Sequence, residues 1–116
     1  MGTKSLIPQL QYLDEAHESL GLTWRQIAGA LGADESTLHR WRSGESEPRA
    51  VYVSRMEALK EFQTELLDAM HPEPAREWLG TTVPSLGGRR PVELLSEGSI
   101  EPLTRIVMQL NMGSPG

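Results

Sequence analysis

The chain of 116 residues contains no cysteine, which excludes a disulfide framework and a thiolate metal site. It also lacks any run of about 18 apolar residues, the minimum that would span a membrane. The first residues, Met1 to Ser5, have neither the long apolar stretch nor the small-residue cleavage site of a secretory signal peptide. We therefore expect a soluble, cytoplasmic protein with no membrane partner.

Positive charge is also in short supply, and the formal net charge is −5 at pH 7. The first fifty residues carry five basic side chains against seven acidic ones. Because lysine and arginine supply most of the affinity for nucleic acid by neutralising phosphates, this balance argues against a strong general nucleic-acid binder. Any binding to DNA would require local clustering of the arginines and two copies of the chain on one site, so we expect a homodimer.

The segment from Leu22 to Trp41 predicts two short helices joined by a tight turn. Thr23 and Gln26 have the spacing of a capping box, Gly32 can adopt the left-handed conformation that ends a helix, and Asp34 can cap the next helix. The second helix then turns Leu38 and Trp41 inward. Its outward positions are Glu35, Ser36, Thr37, His39 and Arg40. This arrangement is typical of a helix-turn-helix, although an ordinary helical hairpin with glycine in its turn is an alternative.

The segment from Leu22 to Pro48 resembles the Xre/Cro-like helix-turn-helix family. Among the matching positions are Leu31-Gly32, Arg40-Trp41, Gly44 and Pro48. It departs at Trp24, where that family usually has a polar residue that touches the DNA backbone, and at Arg42, where an acidic residue is common. For base edges we predict Ser36, Thr37, His39 and Arg40. For phosphates we predict Thr23, Arg25, Gln26 and Arg42.

The remaining hydrophobic periodicity predicts further helices and no β-strand, so the fold class is all-α. We expect a first helix over residues 8–20, a long helix over 50–70, short helices over 74–79 and 91–95, and a last helix capped by Ser99. The long helix has a mostly apolar stripe that is either core or a dimer seam, made of Met56, Leu59, Gln63, Leu66 and Met70 and widened by Phe62 and Leu67. The last helix has an apolar face made of Leu103, Ile106, Val107 and Leu110. We predict a helix-turn-helix domain over residues 1–49 and a small helical domain over 50–116, connected by the long helix.

The segment from Ala75 to Gly113 is similar to the toxin-binding domain of the Xre/MbcA/ParS antitoxins. The resemblance rests on Trp78-Leu79, the turn Leu86-Gly87-Gly88, the step Arg89-Arg90-Pro91 and the pair Leu94-Leu95. It implies that the chain neutralises a RES-domain toxin, an enzyme that consumes NAD, and represses its own operon by binding operator DNA. It also implies a homodimer or a larger hetero-oligomer with the toxin.

In that family the C-terminal end reaches the toxin's active-site cleft and blocks the dinucleotide. The residues predicted to bind the toxin are Trp78, Leu86, Arg89, Arg90, Asn111, Met112 and Gly113. A frayed chain end is the alternative for the last of these. Arg89 and Arg90 beside two glycines do not make a phosphate loop, since no strand precedes them.

No residue pattern predicts catalysis, a metal site or a cofactor. The three histidines, His17, His39 and His71, share no ligand spacing, and no nucleophile motif is present. Two alternatives to an antitoxin stay open on the sequence. One is a stand-alone dimeric helix-turn-helix regulator, and the other is a protein-interaction module whose DNA-binding fold is vestigial.

Overall fold

In the computed structural model, which describes residues 4–112, the chain is all-α. After a single 3-10 turn over Pro8–Leu10, the seven helices are α1 (Gln11–Glu18), α2 (Trp24–Leu31), α3 (Glu35–Ser43), α4 (Ala50–Ala69), α5 (Pro72–Leu79), α6 (Pro91–Ser96) and α7 (Ile100–Asn111). A second 3-10 turn, Pro84–Leu86, lies between α5 and α6. Within residues 4–112 the only β pairing is an isolated bridge between Val83 and Arg89.

Helices α2 and α3 and the tight turn between them form as the capping residues predict. Thr23 Oγ1 accepts a hydrogen bond from the Gln26 backbone N–H at 3.0 Å, and Gln26 Oε1 accepts one from the Thr23 N–H at 2.9 Å. Gly32 ends α2 with a φ of 78°, a conformation that glycine adopts without a steric penalty. Asp34 caps α3 by accepting from the Thr37 N–H at 2.8 Å. Local sequence is therefore sufficient to define both helices and the turn between them.

The long helix α4 packs along α7, and the two helices run in the same direction. The beginning of α7, at Ile100, lies beside Arg55, and the end of α7 is tied to α4 by a 2.9 Å hydrogen bond from Asn111 Nδ2 to the Glu65 carbonyl. The stripe on α4 is buried inside the chain, with Leu59, Phe62 and Leu66 at most 1% exposed. The stripe is therefore core, and its interpretation as a dimer seam is wrong.

Helix α6 packs directly on α2 through a backbone contact. A Cβ atom placed on Gly29 would lie only 2.3 Å from the Ser96 carbonyl oxygen, so only glycine fits at this position. A second link runs from α5 to the end of α1, where Arg76 donates a 2.8 Å hydrogen bond to the Glu18 carbonyl. One cluster of buried side chains extends from Leu10 to Val107. The packing does not divide the chain into two domains at residue 49. The division into residues 1–49 and 50–116 stays a prediction about which segment binds DNA and which binds the toxin.

Several details differ from the sequence predictions. Helix α1 ends at Glu18 rather than at residue 20, and α5 begins at Pro72 rather than at Pro74. Ser99 precedes α7 but makes no capping hydrogen bond with its side chain. Leu110 was predicted on the buried face of α7, yet it is 50% exposed, because Asn111 and not Leu110 faces α4 in this turn.

Candidate DNA-binding face and C-terminal face

The outer side of α3 borders an open groove of about 560 Å³. Ser36, His39 and Arg40 line its rim and are exposed, while Leu38 and Trp24 lie deeper in it. Three of the four residues predicted to read base edges therefore share one accessible surface. The width of a DNA major groove admits a helix presented in this way.

The fourth predicted base-reading residue, Thr37, is half-buried and tied to its neighbours. Its backbone N–H is used by the Asp34 cap, and its Oγ1 accepts a 3.2 Å hydrogen bond from Arg40 Nη2. The contact holds the Arg40 guanidinium against α3. Thr37 thus lies beside the other residues predicted to read bases and holds the side chain of one of them, Arg40.

The residues predicted to contact phosphates lie at the beginning of α2, with one exception. Arg25 is exposed, and it shares a second groove with Gln26, Ser36 and Ser96. Thr23 is exposed as well, and the capping box occupies Gln26 Oε1 rather than the Nε2 group that carries the donors a phosphate needs. Because Ser96 belongs to α6, this groove joins α2 and α3 to the C-terminal half.

Arg42 is the exception, and its prediction as a phosphate contact is wrong. The residue is 7% exposed, and its guanidinium forms a 2.9 Å ion pair with Asp14 of α1. Its Nε donates a 3.0 Å hydrogen bond to Ser5 Oγ. Helical periodicity places Arg42 near the edge of the solvent face of α3. This edge is buried only because α1 packs against it.

The two departures from the Xre/Cro-like pattern, Trp24 and Arg42, contact each other. The Arg42 guanidinium carbon lies 3.7 Å from the centre of the Trp24 ring, in the geometry of a cation–π interaction. His17 stacks on Trp24 at a centroid distance of 4.3 Å, and its Nδ1 is 2.7 Å from the Leu22 carbonyl oxygen, to which it donates. Sequence reasoning missed this three-layer stack, although two departures within one motif were the available signal.

Acidic side chains border the same face. Asp34 and Glu35 are exposed at the beginning of α3, and Glu45 lines the groove near its end. The backbone N–H of Thr37, and then its side chain, hold the pKa of Asp34 below its usual range, which keeps that carboxylate charged. With Arg42 buried and paired, Arg25 and Arg40 are the exposed arginines of α2 and α3.

The loop between α5 and α6 is anchored by two half-buried side chains, Trp78 and Leu86, which pack against the core. Its two glycines shape the turn. Gly87 and Gly88 have φ values of 70° and 79°, and a Cβ on either would meet nothing within 4 Å. They are therefore required for the left-handed backbone of the turn and not for close packing against a neighbour.

Arg89 and Arg90 are exposed beside this turn, and each has a carboxylate partner on α6 or just after it. Arg89 pairs with Glu97, and this hydrogen-bonded contact lowers the pKa of the Glu97 carboxyl. The Arg90 backbone N–H donates to Glu93 Oε1 at 2.8 Å, which lowers the pKa of Glu93. Surface pairs of this kind contribute little to stability and can exchange partners at an interface.

The last turns of α7 present an apolar surface. Met108 is 41% exposed, Leu110 50% and Met112 82%, so the three side chains lie outside the face of the helix that contacts α4. Asn111, predicted to bind the toxin, instead donates from Nδ2 to two atoms of Glu65, the backbone carbonyl oxygen and Oε1. Gly113, the last predicted toxin-binding residue, lies outside the described residues.

Over residues 4–112 no group of three or more histidine, aspartate or glutamate side chains is arranged to hold a metal ion. None of the helices in this part of the chain is long and apolar enough to cross a membrane.

No protein-family model matches the chain. It is similar in sequence to a "probable mycobacterial cidal antitoxin" of Mycobacterium tuberculosis, at 26% identity over 87 residues that cover 75% of this chain and 74% of the relative. It is also similar to the mycobacterial cidal antitoxin MbcA of Mycobacterium bovis, at 23% identity over 92 residues, 79% of this chain and 81% of MbcA.

The fold matches a chain of the crystal structure of the M. tuberculosis MbcT–MbcA toxin–antitoxin complex. The TM-score is 0.71 at 20% identity, and the alignment covers 94% of this chain and 98% of the other. The protein therefore has the all-α fold of that solved structure, and its sequence is similar to mycobacterial antitoxins over about three quarters of its length.

Proposed function

We propose that this chain is the antitoxin of a toxin–antitoxin pair and that its partner is a RES-domain toxin that consumes NAD. The observation that carries the proposal is the similarity to proteins named as antitoxins, which extends over 79% of this chain and 81% of MbcA. The similarity thus includes both segments of the chain. The motif around Arg89-Arg90-Pro91 supports the choice of a RES-domain partner, since it resembles that class of antitoxin.

The toxin-binding surface is the C-terminal face, made of the end of α7 and the loop between α5 and α6. Exposed Met108, Leu110 and Met112 offer apolar area to a partner, and methionine adapts to irregular surfaces. Residues 51–116 carry nine acidic side chains against six basic ones, a balance that suits a cleft made basic in order to bind a dinucleotide. The chain inhibits by placing its C-terminal end across that cleft.

Deletion of residues 111–116 tests this inhibition. The truncated protein should no longer stop NAD consumption by the toxin encoded beside it, because the segment that blocks the cleft is gone. The matched control is Lys60→Ala, a change on the exposed side of α4 that should leave inhibition intact. Full inhibition by the truncated protein would show that the tail does not block the active site.

Operator DNA binds the face formed by α2 and α3, and the chain represses its own operon there as a dimer. Ser36, His39 and Arg40 read bases from the rim of the groove, while Thr23, Arg25 and Gln26 contact phosphates at the beginning of α2. Few cations lie on this face, so two copies are needed on one operator to reach useful affinity.

Substitution of Arg40 by alanine tests the DNA-binding role. Loss of one base-reading arginine should weaken operator binding by about 1–3 kcal/mol, measured by fluorescence anisotropy, and leave toxin binding unchanged. Lys60→Ala removes a positive charge outside the motif and serves as the control. Equal loss of DNA and toxin binding would mean that the two surfaces are not separate.

The modest charge of this face favours one competing function, a protein-interaction module that does not bind DNA. Salt distinguishes the two functions, since a protein–DNA complex weakens steeply with rising salt and an apolar protein complex much less.

The other alternative, a stand-alone regulator, is tested by a pull-down from nuclease-treated lysate washed in high salt. If the chain is an antitoxin, the pull-down should retain a stoichiometric NAD-consuming enzyme. If only the bait survives, the stand-alone regulator becomes the better assignment.

A further inference from the structure

A buried polar cluster joins the N-terminal segment to α1 and α3. The Ser5 backbone N–H donates to Asp14 Oδ2 at 2.8 Å, and Ser5 Oγ donates to Asp14 Oδ1 at 3.0 Å. Arg42 donates to both partners, from Nε to Ser5 Oγ at 3.0 Å and from Nη2 to Asp14 Oδ1 at 2.9 Å. We call Ser5, Asp14 and Arg42 the N-terminal clasp; the three residues are 3%, 5% and 7% exposed.

The clasp fixes how α3 is rotated about its own axis. Leu38 and Trp41 attach the inner side of α3 to the core, but apolar contacts alone have no preferred direction. Hydrogen bonds to a charged pair are directional, and the clasp attaches α3 along its edge, where Arg42 also covers Trp24 at the beginning of α2. The Leu6 backbone N–H adds a 2.8 Å bond to the Arg42 carbonyl.

The clasp also lies directly beneath the surface proposed to read DNA. Arg42 and Trp24 line the same groove as Ser36, His39 and Arg40. A shift of the Arg42–Trp24 stack would change the depth of the groove and the direction of the rim side chains. The buried residues therefore control geometry that the exposed residues use.

We propose that the N-terminal clasp positions α3 for sequence-specific DNA recognition, and that Ser5 is a positioning residue although it contacts no DNA. This inference rests on the proposed binding of operator DNA by the α2–α3 face. In a protein whose clasp is open, α3 samples several orientations, and only the fraction with the correct orientation binds the operator tightly. Binding to unrelated DNA depends on phosphate contacts and tolerates the same variation.

Ser5→Ala isolates this effect because it removes the hydroxyl and keeps the backbone hydrogen bond to Asp14. The hydroxyl bridges the two charged members of the clasp, and a hydrogen bond to a charged group is worth roughly a factor of ten or more in an equilibrium constant. We expect affinity for the operator to fall about tenfold and affinity for a scrambled duplex to change less than about twofold. Ser54→Ala, at an exposed position on α4, is the matched control.

The experiment compares the full-length variants by fluorescence anisotropy on two duplexes, one carrying the region upstream of the protein's own gene and one of the same composition in scrambled order. The readout is the ratio of the two affinities, since a variant that is only less stable loses both equally. The dependence of binding on salt should stay the same in Ser5→Ala, because no phosphate contact is removed. Circular dichroism confirms that each variant is folded.

Three results are decisive. A lower ratio in Ser5→Ala with an unchanged ratio in Ser54→Ala supports the inference, and an unchanged ratio in folded Ser5→Ala overturns it. If the wild-type protein does not distinguish the two duplexes, the proposed binding of operator DNA fails instead, and this inference fails with it. Should Ser5→Ala not fold, Ser5→Cys is read in the same way, since it keeps the size of the side chain and the buried ion pair and replaces the hydroxyl by a weaker hydrogen-bonding group.

Discussion

Replacement of Arg42 by alanine should destabilise the protein far more than replacement of Arg40, although the two arginines lie two positions apart on α3. Arg40 is exposed, and the one contact of its side chain described above is the 3.2 Å hydrogen bond to Thr37 Oγ1. Arg42 is buried and bonds Ser5 and Asp14. Sequence reasoning gave both residues the same exposed environment, so the comparison tests the tertiary structure directly.

The magnitude follows from what each change leaves behind. Arg42→Ala leaves the Asp14 carboxylate 5% exposed without its cation, and breaking a buried pair from one side costs about 3–5 kcal/mol. The two hydrogen bonds from Ser5 still solvate that carboxylate, which places the expected loss near about 3 kcal/mol. Arg40→Ala should stay within about 0.5 kcal/mol, as is usual for exposed positions.

Urea unfolding followed by circular dichroism measures both free energies. The double variant Asp14→Ala/Arg42→Ala adds a check, because removing both members of the pair should cost less than the sum of the single changes. A loss below about 1 kcal/mol in Arg42→Ala, or costs that simply add in the double variant, would refute the buried ion pair. Arg40→Ala measured in parallel controls for the loss of one positive charge.

Two further predictions concern a cap and a helix contact. Asp34→Ala should destabilise the protein, because it removes the cap of α3. Since the hydrogen bonds from Thr37 lower the pKa of Asp34 in the folded state, this contribution is present above the pKa of an unfolded aspartate and is lost as pH falls through the folded value. Urea titrations at neutral and at strongly acid pH should therefore show the difference from wild type disappearing in acid. Gly29→Ala should lower the free energy of unfolding by about 1–3 kcal/mol, measured with heat or urea, since its Cβ would lie 2.3 Å from the Ser96 carbonyl oxygen. Gly80→Ala is the control and should be close to neutral, because the nearest neighbour of its Cβ would be 3.8 Å away. Equal effects of the two changes would contradict the contact between α2 and α6.

The local features were predictable because neighbouring residues decide them. A capping box needs only Thr23 and Gln26 three positions apart, and a left-handed helix end needs only a glycine such as Gly32. Both are present as predicted. The apolar stripe of α4 was equally visible, since its side chains recur with the period of a helix.

Distant contacts were not predictable for the same reason. Ser5, Asp14 and Arg42 are separated by nine and 28 residues, and no periodic pattern connects them. Arg42 looked like a phosphate contact because the spacing within α3 says nothing about what packs against its edge. Leu110 looked buried because it continues the apolar period of α7, although Asn111 is the residue of that turn that faces α4.

The sequence by itself therefore determined the helical class, the turn between α2 and α3 and the absence of thiol chemistry, since each depends on composition or on contacts within a few residues. Tertiary structure alone decided which charges face solvent, because burial depends on where α1 and the N-terminal segment lie against α3. It also decided that the two halves share a core, through a backbone contact at Gly29 that no side-chain pattern records. The apolar period of a helix repeats along the chain and is visible in the sequence, whereas the contacts between helix edges form only after the helices pack.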